Sequence, residues 1–233
     1  MSAIRPAACV TPGAVRGLAG GSRATSTRAK QRSSRWLVGS AGCWLLAMST
    51  LAFGQGRIAN AVTETRSAAQ GLEREISAIA ARGTPAWIGY SVPMGSGSGG
   101  FCSTVILEPP TQLLILARID QGKVVKVRTL TPNCEVDAGG VPVVWLTNVS
   151  PAQSVAWLAG FVSSSPDRRK EPGDLSRPAL TAIGLHATDA APKLIQIVRT
   201  TTDRQLRTQA MSWLGRSHDP QAVRFFEELL TAK

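Results

Sequence analysis

The sequence predicts an α+β protein: a small antiparallel β region with one disulfide, followed by a short α-helical repeat array. Three observations lead there. Between Pro85 and Asn148 apolar residues alternate with polar ones, the period of a strand, whereas beyond Asn148 they recur at three and four, the period of a helix. Two cysteines, Cys102 and Cys134, remain once an export leader is set aside. Residues 179–198 match residues 210–229 at a constant offset of 31.

The leader occupies residues 1–54. In "RAKQRSSRWLVGSAGCWLLAMSTLAFGQG" a positive segment ends at Arg35 and an uncharged apolar run spans Trp36 to Phe53. Ala52 and Gly54 fit the small-residue positions of a leader-peptidase site, so cleavage is expected between Gly54 and Gln55. A retained anchor is the alternative, because the run of 18 residues lies near the roughly 20 that span a bilayer. "SAGC" at Ser40–Cys43 has Ser where a lipoprotein box needs Leu, so lipidation is rejected. The expected location is outside the cytoplasm, periplasmic or extracellular, with no membrane span in the mature chain.

Setting the leader aside also disposes of the charge. The formal net charge is +11, but seven basic and no acidic residues lie in 1–54, leaving 19 basic against 15 acidic. The run Asp167–Lys170 is short, sits among Ser and Pro, and lacks aromatic interleaving, so a nucleic-acid partner is not expected. Cys102 and Cys134 then form the one disulfide expected of an exported chain. Closing their loop of about 30 residues contributes roughly 3 kcal/mol.

Residues 55–84 read as a lead-in: a loose strand over 55–69, then a helix over 71–82 with Leu72, Ile76, Ile79 and Ala80 on one face and Gly83 closing it. Residues 85–148 form the β region, with strands at 86–94, 103–108, from Thr111, after Gly122 and at 141–146. Asp120-Gln121-Gly122 marks a hairpin, and "VVKVRTL" has the alternation of a strand with one wet face. "GSGSGG" (95–100) is a flexible tract. "TPNCEVDAGG" (131–140) reads as a stapled turn joining two strands, in which Gly139-Gly140 take positive φ and Asp137 or Asn133 bonds nearby amides.

Residues 149–233 are helical. Ser150 is the N-cap and Pro151 the first residue of a helix carrying Val155, Leu158, Ala159 and Val162 on one side. A polar, Pro-rich linker (165–178) precedes two units, about 176–202 and 203–233. Ala179 matches Ala210, Ile183-Gly184 matches Leu214-Gly215, Ala191 matches Ala222, Leu194-Ile195 matches Phe225-Phe226, and Val198 matches Leu229. Each unit is a helix, a short turn with Asp189 or Asp219, and a second helix.

"RTQAMSWLGRSHDPQAVRFFEELL" resembles the short HEAT-like repeats of helical scaffolds, in which an Ala-x-x-x-Leu-Gly helix precedes an Asp-x-x-Ala-Val helix. The whole chain is similar to small exported bacterial HEAT-repeat proteins that pair a "PAWIGYSVP" and "CEVDAGG" region with such repeats. The resemblance implies architecture and protein contact, and no particular activity. Two units fall short of the roughly three that bury a continuous solenoid core, so the β region is expected to cap the array.

A search for chemistry places no catalytic set. His186 and His218 read as solvated turn residues, and "GSGSG" has Gly97 where a nucleophile elbow needs Ser. Glu135 and Asp137 lack the further oxygen ligands of a calcium loop. Lys123, Lys126 and Arg128 on the wet strand could meet an anionic surface. Trp145 and Trp157 are expected at the join of sheet and helices, and Trp213 between repeat helices. The expected function is therefore a non-enzymatic interaction or scaffold protein, with no cofactor and no metal. Its partner is another protein, bound by exposed helix and turn residues such as Arg204, Arg207, Arg216 and Arg224. The alternative is a periplasmic sensor or small-ligand-binding module built on the sheet.

Overall fold

A computed structural model describes residues 57–95, 102, 108, 110–162 and 174–231. All of them belong to one compact unit, 49–233. The expected leader with its Gly54–Gln55 site, the glycine tract beyond Gly95, most of the strand at 103–108 and the Asp167–Lys170 run lie outside the described residues.

The fold is mixed α+β. Its seven described strands are β1 (Arg57–Ala59), β2 (Thr63–Ser67), β3 (Ala86–Pro93), β4 (Gln112–Asp120), β5 (Lys123–Leu130), β6 (Glu135–Asp137) and β7 (Val143–Thr147). The six described helices are α1 (Leu72–Ala80), α2 (Pro151–Val162), α3 (Ser176–Gly184), α4 (Ala190–Thr200), α5 (Arg204–Arg216) and α6 (Pro220–Thr231). Five strands form one sheet in the order β2-β7-β3-β4-β5, and β1 pairs with β6 in a separate two-stranded ribbon.

The antiparallel expectation holds for β3–β4–β5 and fails for the rest. β7 runs parallel to both β2 and β3, and β1 runs parallel to β6. The reason is α1: a helix between β2 and β3 reverses the chain, so both strands point the same way. The lead-in is thus two strands, broken where Asn60 takes φ 52°, and β2 forms an edge of the main sheet. The β4–β5 hairpin turns at Gln121 (φ 47°) and Gly122 (φ 72°), both positive as its tight turn requires. A bulge at Val125 leaves Arg118 opposite Lys126 and Ile119 opposite Val124.

The sheet buries two unequal faces. Ile88, Tyr90 and Val92 of β3, Ile115 and Ile119 of β4, and Val144 and Leu146 of β7 face the helices and share one core with Leu72, Ile76 and Ile79 of α1 and Leu158 of α2. On the other face Leu114, Leu116 and Trp145 form a smaller cluster beneath Ile58 and Val136. Trp145 therefore lies away from the helices, contrary to expectation, because its neighbours Val144 and Leu146 take the helix-facing positions of the two-residue alternation. Gly89 is required beside it: a Cβ there would stand 2.7 Å from the indole and 2.9 Å from Leu116 Cδ2.

Residues 131–142 are a crossover and not a turn between neighbours. β5 and β7 are separated in the sheet by β4 and β3, so the chain passes over the outer face and pairs β6 with β1 on the way. The expected local details hold within it. Gly139 (φ 63°) and Gly140 (φ 78°) are left-handed, and Asp137 Oδ1 accepts a 2.8 Å bond from Gly139 N. Cys102 and Cys134 lie within disulfide-bonding distance, with Cα atoms 5.6 Å apart.

Helix α2 opens with a reciprocal cap: Gln153 N donates to Ser150 Oγ (3.2 Å) and Ser150 N donates to Gln153 Oε1 (3.3 Å). α3 packs beside α5, and α4 packs beside both α5 and α6. Arg177 bonds Gln205, and Gln209 Nε2 donates to Thr181 Oγ1 at 2.9 Å across the α3–α5 seam. Gly184 lies against the Trp213 indole so closely that any Cβ would overlap it. Residues matched at the offset of 31 are buried in both units: Ala179 with Ala210, Ile183 with Leu214, Ala191 with Ala222, Leu194 with Phe225. Leu229 departs from its match Val198 and is exposed, because among the described residues no helix packs after α6.

Candidate functional site

The four arginines expected to bind a partner are all exposed, and the fold does not bring them together. Arg204 and Arg207 open α5, while Arg216 closes it, which puts Arg204 and Arg216 about 18 Å apart along the axis at 1.5 Å per residue. Arg207 donates to the Thr201 carbonyl, and Arg216 lies over the Trp213 ring, 5.4 Å from its centroid. Arg224 alone lines a shallow depression of about 310 Å³ between α4 and α6, with Pro192, Gln221 and Phe225. Arg199 bridges that depression, pairing with Glu228 at 2.8 Å and resting 5.3 Å from the Phe225 centroid.

The outward side of α6 is the more distinctive part of the helical region. Ala222 and Phe225 point into the core, whereas Val223 (55% exposed), Leu229 (47%) and Leu230 (87%) do not. Val223 and Leu230 stand seven residues apart, two turns along one face, with half-buried Phe226 between them.

His186 corrects the sequence reading: it is 5% exposed and not a solvated turn residue. The end of β3 reaches the α3–α4 turn and bonds to it: Gly95 N donates to Leu185 O (2.9 Å) and Ala187 N to Pro93 O (3.0 Å). His186 Nδ1 lies 2.7 Å from the Ala182 carbonyl, which only accepts, so Nδ1 carries the proton. Nε2 then accepts from Ser154 Oγ at 2.9 Å, and Ser154 Oγ accepts from the Tyr90 hydroxyl at 2.9 Å. Burial holds the His186 pKa below the usual imidazole range, against bonds to Ala182 and the nearby Asp189 carboxylate that favour the charged form. Burial likewise pushes the Tyr90 phenol up. The three groups satisfy one another with a neutral ring and tie β3 to α2 and the α3–α4 turn. His218, in contrast, is exposed.

A cleft of about 250 Å³ opens between the β1–β6 ribbon and the outer face of the sheet. Its walls are Ile58, Trp87, Leu116, Leu130 and Val136, and Lys126 and Arg128 stand at its rim. The cross-strand register builds it: Trp87, Arg118 and Lys126 form one row, and Gly89, Leu116 and Arg128 the next. Arg118 sits 6.0 Å from the Trp87 centroid, with Nη1 buried and, among the described residues, lacking a hydrogen-bond partner. Asp137, the one carboxylate on the lining among the described residues, is engaged by Gly139 N and by Asn60 Nδ2 at 2.9 Å. Those bonds, the backbone one foremost, lower its pKa. The wet face expected of β5 is therefore a cleft rim. Its alternation was legible in sequence, but the covering ribbon, from residues 78 positions apart, was not.

Among the described residues no group of three His, Cys, Asp or Glu side chains is placed to hold a metal, and no helix is long and apolar enough to cross a membrane. No protein-family model, curated protein or solved structure matches the chain.

Proposed function

We propose that this chain is an exported, non-enzymatic interaction protein whose helices α3–α6 form a short HEAT-like array that docks another protein. The observation that carries the reading is the outward apolar face of α6, where Val223 and Leu230 stand open to solvent beside Arg224 and Glu227. Apolar side chains ringed by charge are the composition of a docking patch. The matched burial of the two units supports the repeat, and the run Trp36–Phe53 before Gln55 supports export. Helical repeats suit such work, because outward residues vary without disturbing the buried seam.

Site-specific photocrosslinking in the exporting host tests this. A photoreactive residue at position 223 or 230 is expected to capture one partner, one at Lys123 to capture none, and Val223→Asp with Leu230→Asp to abolish capture from a probe at Arg216. Adducts only between copies of this chain, or equal capture from Lys123, would sink the proposal. Intact mass starting at Gln55, with two thiols labelled only after reduction, checks export and the disulfide.

A further inference from the structure

We propose that the cleft between the β1–β6 ribbon and the outer sheet face binds a small amphipathic carboxylate, its apolar body held against Trp87, Leu116 and Val136 and its charge met by Lys126 and Arg128. The inference rests on the sheet and its ribbon and stands whether or not α6 docks a protein.

Size, lining and charge each narrow the occupant. A volume of about 250 Å³ gives room for a short chain or one ring, since an apolar cavity of roughly 150 Å³ already takes benzene. The walls are aliphatic and indole, a surface that water wets poorly and an apolar body fills favourably. At the rim, Lys126 and Arg128 occupy alternate positions of β5 on the same face, about 7 Å apart at 3.3–3.4 Å per residue, so one carboxylate spans both. Opposite Lys126, Arg118 adds a third cation whose buried Nη1 has no hydrogen-bond partner among the described residues. Asp137 does not neutralise the rim, since its oxygens already accept from Asn60 and Gly139. A cationic ligand meets like charge there, and a neutral one leaves the rim with nothing to bind.

The test is a calorimetric titration of the oxidised protein with octanoate, octan-1-ol and octyltrimethylammonium. One octanoate is expected per chain, about tenfold tighter than the alcohol, with no binding of the cation and with the Trp87 indole N–H resonance shifting on binding. Lys126→Gln with Arg128→Gln, both at exposed strand positions, is expected to keep the melting temperature and bring octanoate down to the affinity of the alcohol. Absence of octanoate binding, equal affinity for acid and alcohol, or a double variant that binds octanoate undiminished would each overturn the proposal.

Discussion

The two faces of the five-stranded sheet are buried by different means. The helix-facing side is covered by amphipathic helices packed on β-branched and leucine residues, and the polar cluster buried there, Tyr90–Ser154–His186, is internally satisfied. The outer side is covered by two three-residue strands, β1 from the lead-in and β6 from the crossing segment, next to which Cys102 and Cys134 lie within disulfide-bonding distance. Helices fill the space above a sheet, whereas a thin ribbon bridges it and leaves a hollow with a charged rim. Stability is therefore concentrated on one face and room for a ligand on the other.

Truncation tests the contrast most strongly. Ile115→Ala, at a fully buried helix-facing position, is expected to cost about 2–5 kcal/mol in chemical denaturation. Leu130→Ala, half-buried under the ribbon, is expected to cost clearly less; equal losses would erase the distinction between the faces. Next comes the tie itself. Replacing Cys102 and Cys134 with Ser is expected to remove about 2–4 kcal/mol through the freed loop, and to weaken octanoate binding where Ile115→Ala leaves it intact.

Acid separates the faces further. His186 is held neutral in the fold, so its contribution is complete above the unfolded imidazole pKa of about 6.5. It is lost as pH falls from there toward the lowered native value, because only the unfolded chain gains a proton in that window. Denaturation curves are expected to lose up to about 1.4 kcal/mol per pH unit there, and His186→Gln is expected to flatten the slope. Tyr90 and Ser154 do not titrate in that range, and the lowered Glu64 and Asp137 act only at lower pH. A slope that persists in the variant would show that another group controls it. The smallest effect belongs to the surface: Arg199→Ala breaks an exposed pair with Glu228 and is expected to change stability by less than about 1 kcal/mol.

Much of the local structure was legible. Ser150-Pro151 started α2, Asp120-Gln121-Gly122 turned the β4–β5 hairpin, Gly139-Gly140 took left-handed φ, and the matched alanines of the two units are buried. These are near-neighbour effects: a cap, a turn and a helical face each depend on a few adjacent residues. What failed was long-range. The parallel insertion of β7 between β2 and β3 has no local signature, and His186 reads as a turn residue until Pro93 and Gly95 close over it. Of the candidate sites, Lys126 and Arg128 were visible on a wet strand, but the hollow they guard required Ile58 and Val136 from distant segments.

The sequence alone determined the periods, caps and turns and the repetition of a helical unit, because each is written in the spacing of residues along the chain. Tertiary structure alone decided strand order, which side of the sheet Trp145 faces, the neutral burial of His186 and the existence of the cleft. Those follow from which distant surfaces meet, and a two-residue alternation specifies two faces without saying what will cover either one.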